Sequence, residues 1–77
     1  MNKETYKNYI LDLSAIFVDK IQTLFLEINS NDDDFLKGQL ASYYDALDIM
    51  KSQAEIFGIS MKEIGLENFD LESFLIS

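Results

Sequence analysis

Among the 77 residues there is no cysteine, no histidine, no proline and no tryptophan, and glycine occurs three times. Each gap closes off a class of protein. Without Cys and His there is no zinc finger, no thiol chemistry, no disulfide framework and no imidazole to serve as general base or phosphoacceptor. The Gly and Pro content is too low for a collagen-like or low-complexity chain. Positive charge is scarce as well: 6 basic against 14 acidic side chains leave a net charge of −8. Binding of nucleic acid through phosphate neutralisation needs the opposite sign, so no direct nucleic-acid binding is expected.

Long hydrophobic runs are missing too. A membrane span needs about 18 to 20 nearly uncharged residues. Here Asp12 and Asp19 bound the longest apolar core, residues 13–18. Lys3 and Lys7 precede Ile10 and Leu11, but no small-residue cleavage site follows them. The expectation is a cytoplasmic chain without membrane contact, and the lack of cysteine is consistent with a reducing compartment.

What remains is apolar and acidic. Hydrophobic residues make up 48% of the chain, with six Phe and four Tyr. One domain is the limit at this length, and its own core is marginal without staples, a metal or a partner chain. Self-association is therefore expected.

Apolar periodicity assigns the chain to the all-α class. Tyr6, Ile10, Leu13, Phe17, Ile21, Leu24 and Ile28 recur at steps of three and four, which predicts a helix over about 3–28. Tyr9, Leu11, Ile16, Val18 and Phe25 broaden that face, as in a helix with more than one neighbour. Asn29, Ser30 and Asn31 break the pattern. A second helix is expected over about 32–57, where Leu36, Leu40, Tyr43, Leu47, Met50, Ala54 and Phe57 form a heptad seam ending at Gly58. Ser60 and Glu63 match a capping box and predict one helical turn over about 60–64, and a short helix is expected over about 70–76. The architecture expected is a long antiparallel helical hairpin with a short C-terminal helix, two copies pairing into a dimeric four-helix bundle.

No constellation reads as chemistry. Asp32, Asp33 and Asp34 are consecutive, whereas a calcium loop needs alternate ligands, a central Gly and a distant Glu, so they read as helix-capping charge. Asp12 with Asp19, and Asp48 with Glu55, lie on faces opposite the seams, where no pocket would perturb them. No histidine is present to activate a serine. The expectation is a protein with no catalytic residue, no cofactor and no metal. Tyr6, Tyr9, Tyr43 and Tyr44 could stack on bases, but the surrounding charge disfavours it and seam packing is the better reading.

Two features point outward. Gly38, Ser42 and Ala46 form a ridge of small residues on the second helix, continued by Ile49, Gln53 and Ile56. Such ridges admit a close helix. With Val18 and Phe25 from the broad face of the first helix, they are the candidate dimer or partner interface. Phe69, Leu71, Phe74, Leu75 and Ile76 crowd the C-terminus and form either a lid over the hairpin or a segment that docks on a partner. The function expected is that of a small acidic interaction or regulatory module, active as a homodimer. The alternative is an acidic inhibitor or immunity-type protein, in one form a nucleic-acid mimic, that blocks a basic site on its partner.

Overall fold

The computed structural model describes residues 3–75, and they are all-helical, without strands. Helix α1 spans Lys3–Ser30 and helix α2 spans Asp34–Ile56. Three linking residues turn the chain back on itself, so the helices form a hairpin with Phe17 beside Tyr43, ring centroids 5.8 Å apart. Twenty-eight helical residues at about 1.5 Å each nearly account for the long dimension of 44 Å. The molecule is as long as its first helix.

The helix ends follow local hydrogen-bond chemistry. Helix α1 runs past Ile28 because the backbone of Asn31 still donates to the Glu27 carbonyl at 2.8 Å, and the Ser30 hydroxyl donates to the Leu26 carbonyl. Helix α2 starts at Asp34 rather than 32, because Asp33 adopts extended backbone and its Oδ1 accepts the Phe35 N–H at 2.8 Å. At the other end the N–H of Gly58 donates to Glu55 and that of Ile59 to Ala54, a Schellman pair that needs the positive φ of +70° at Gly58. Seven residues later the same pair recurs. Gly65 donates to Lys62 and Leu66 to Met61, with Gly65 at φ +77°.

Between the two glycines the expected helix over 60–64 is an isolated turn over residues 61–65. The capping box that prompted it does form: Glu63 Oε2 accepts the Ser60 N–H at 2.7 Å, and the Glu63 N–H donates to Ser60 Oγ at 3.2 Å. Gly65 stops it after one turn. The helix expected at 70–76 is a single 3₁₀ turn, Leu71–Phe74. There the Asp70 carbonyl accepts from both the backbone and the hydroxyl of Ser73, and Leu75 reaches back to Glu72. Four residues are too few to repay α-helix nucleation. Ile76, the last residue of that expected helix, lies outside the described residues.

The core is shared by three segments. Ile21, Leu24 and Ile28 of α1, Leu40, Leu47 and Ala54 of α2, and Ile64, Leu66 and Leu71 of the tail are each buried and form one cluster. Two seam positions behave differently. Tyr6 and Phe57 are both largely exposed, because they sit at the open end of the hairpin. Phe74 packs edge-on against Phe25 of α1 at 5.1 Å and stacks on Phe69 at 5.3 Å, fixing the tail lengthwise.

Ser14 is fully buried, and its hydroxyl finds no partner among the described residues. It lies beneath the second glycine turn, where a Cβ on Gly65 would come within 3.1 Å of Leu11 Cδ2 and 4.0 Å of Ser14 Cβ. A small residue at 14 lets that turn settle on α1. Ser14→Ala should therefore raise stability by about 1 kcal/mol in urea melts, by relieving an unpaired buried hydroxyl. Ser14→Val should lower it by about 1–3 kcal/mol, because the enclosed site has no room for extra methyls.

Candidate interaction surfaces

Each helix divides lengthwise into three stripes of residues spaced three and four apart. On α1 the middle stripe, Ile10, Ser14, Phe17, Ile21, Leu24 and Ile28, belongs to the core or packs beside it. The tail covers one flank. Gly65 sits over Leu11 and Ser14, Phe69 lines one open hollow with Ala15, Val18 and Gln22, and Phe74 meets Phe25. The other flank holds Tyr6, Tyr9, Leu13, Ile16 and Lys20; Tyr9 is 62% exposed and Ile16 48%.

Helix α2 repeats the scheme. Leu40, Leu47 and Ala54 are its core, and Lys37, Ala41 and Tyr44 lie toward Phe74 of the tail. Its outer stripe carries Phe35, Gly38, Ser42, Ala46, Ile49, Gln53 and Ile56, with no charged residue among them. Phe35, Ile49 and Ile56 are 71%, 61% and 72% exposed, and a Cβ on Gly38 would meet nothing within 4 Å. Helix α1 of the same chain does not fill the small-residue ridge. Gly38 and Ser42 face outward, and Ala46 is half-buried.

The structure thus separates the expected interface residues into two groups. Gly38, Ser42, Ala46, Ile49, Gln53 and Ile56 share the outer stripe of α2. Val18 and Phe25 are taken up by the tail and are only half-exposed. Of the docking-segment residues, Leu71 is buried, Phe69 and Phe74 are half-buried against the core, and Leu75 is exposed. Sequence reasoning passed over Phe35, and placed Tyr9 and Ile16 on the broad face of α1 without naming them among the interface residues. The seven-residue spacing of Phe35, Ser42, Ile49 and Ile56 was the available signal.

A second surface was not foreseen. Between α2 and the end of the tail runs an open groove of about 420 Å³ lined by Lys37, Leu40, Ala41, Tyr44, Asp45, Phe74 and Leu75. Burial first, then the charges of Asp48, Glu72, Asp45 and Asp70, push the Tyr44 hydroxyl pKa upward. Lys37 lies beside Asp32, and that hydrogen bond raises its pKa. Among the described residues no group of three or more Asp or Glu is arranged to hold a metal ion, and no helix is long and apolar enough to cross a membrane.

Glu63 is the acid with the clearest local role. Its pKa is lowered chiefly by the Ser60 backbone N–H, then by the Ser60 hydroxyl, with Lys7 adding a smaller effect. A depressed folded pKa stabilises above the unfolded value and is lost as pH falls through the folded one. Acid titration of the melting temperature should accordingly show a fall below the usual Glu range of about 4.3 that Glu63→Gln removes. If the two profiles coincide, the capping box does not contribute in solution.

No family model, no curated protein and no solved structure matches this chain.

Proposed function

We propose that this chain is a non-enzymatic protein–protein interaction module that works as a homodimer, two hairpins pairing into a four-helix bundle. One observation carries the reading: the face away from the tail is apolar and nearly free of charge. In a chain with 20 charged residues, that face has none along the outer stripe of α2 and only Lys20 and Glu27 along α1. Acids elsewhere keep the remaining surface soluble, so the uncharged stripe is the exception. Exposed apolar patches of this kind mark interaction sites. The molecule is 44 Å long and 21 Å across, enough for the roughly 800 Å² per partner of a standard interface. Gly38, Ser42 and Ala46 would let the second copy's helix approach closely.

Light scattering at micromolar concentration tests the proposal, with about twice the 8.9 kDa chain mass expected. A clean monomer that unfolds cooperatively sinks it. Gly38→Ala adds a second check. In an isolated helix this change should stabilise by about 0.5–1 kcal/mol, since nothing opposes the new methyl. In a close-packed dimer it should instead weaken association.

A second reading, an acidic blocker of a basic site on another protein, draws on the carboxylates of Asp45, Asp48, Asp70 and Glu72 gathered around Tyr44. It predicts binding that weakens steeply with ionic strength, whereas the apolar dimer face should resist salt.

A further inference from the structure

The groove beside Tyr44 lies on the tail side of the core, bordering the uncharged stripe at Ala41 and Asp45, and its walls come from a single chain. Its volume of about 420 Å³ lies within the roughly 300–1,000 Å³ typical of ligand sites. Leu40, Ala41, Phe74 and Leu75 give it apolar walls. Asp45 lines it, and Asp48 on α2 with Asp70 and Glu72 on the tail lie near enough to act on the charge of Tyr44 in its wall. None of the four has an ion-pair partner among the described residues, and Lys37, the groove's own cation, is engaged by Asp32.

We propose that this groove binds a basic amphipathic peptide segment, with large apolar side chains against Leu40, Ala41 and Phe74 and Lys or Arg groups toward Asp45 in its wall and the neighbouring Asp48, Asp70 and Glu72. Charge complementarity selects this occupant. A second copy of a chain of net charge −8 would bring more acid to an acidic rim. A neutral apolar segment would strip water from those carboxylates and offer nothing in return. A basic segment covers the walls and neutralises the rim together. Because the carboxylates are exposed, the cations should mainly set partner choice and association rate, while the apolar contacts hold the complex.

Fluorescence anisotropy with labelled peptides of about nine residues tests the proposal on the full chain. A probe alternating Leu and Arg should bind saturably, a Ser/Arg probe at least about ten-fold more weakly, and a Leu/Glu probe not at all. Ala41→Trp, which fills the groove from an exposed helical position, should weaken the Leu/Arg probe about ten-fold. The pair Asp45→Asn with Glu72→Gln should do the same by removing two attractive charges, with circular dichroism confirming that both variants remain folded. Equal binding of Ser/Arg and Leu/Arg probes would reduce the effect to bulk charge and overturn the assignment. So would an affinity that neither variant alters. Tighter binding after deletion of Ile76 and Ser77 would also overturn it, by making the chain's own end the occupant.

Discussion

Deleting residues 68–77 should leave a protein that is largely unfolded at room temperature or that aggregates. The segment contains Leu71, which is 2% exposed, and Phe74, which meets Phe25 and Phe69 in a row of rings. Truncating one buried leucine to alanine costs about 2–5 kcal/mol, and small domains have about 5–15 kcal/mol in total. Removing Phe69, Leu71 and Phe74 together would exhaust most of that margin and uncover Val18 and Phe25. Leu71→Ala alone should lower the urea midpoint without changing its slope much, because the rest of the tail still has Ile64 and Leu66 to hold it. Should the truncated chain melt at the same temperature and stay soluble, the tail is not part of the core in solution. It would then be better read as a segment that docks elsewhere.

Ile49→Glu together with Ile56→Glu should turn the proposed dimer into a monomer without unfolding the hairpin. Both side chains are mostly exposed in the single chain, so the change costs little there. In a symmetric pair each substitution is felt twice. Loss of about 1.5 kcal/mol per buried apolar side chain, doubled for a single position, raises the dissociation constant about 100-fold. Two positions with like charges brought together exceed that. Sedimentation should show one chain mass for the variant and two for the parent, with matching helical circular dichroism. A variant that keeps the parent's mass would remove the outer stripe of α2 from the interface and leave the Tyr6, Tyr9 and Ile16 flank to be tested in the same way.

Local chemistry in the sequence already determined much of this molecule. Both long helices are written in steps of three and four, and the stops at Gly58 and Gly65 follow from the left-handed backbone that a Schellman turn requires. The pairing of Ser60 with Glu63 was likewise readable, because a capping box involves residues three apart. Whatever depended on distant segments was not readable. Periodicity marks Val18, Phe25 and Ile49 alike as apolar flank residues. Only the path of the tail decides that the first two are covered and the third is exposed. The same path sets Gly65 above Ser14, which explains a fully buried hydroxyl that no local pattern predicts. It also brings Phe74 and Leu75 of the tail to Tyr44, 30 and 31 positions earlier, and so builds the groove. Helix signals repeat within a single turn, whereas coverage of a face depends on contacts between residues tens of positions apart, and a single sequence carries no periodic trace of those.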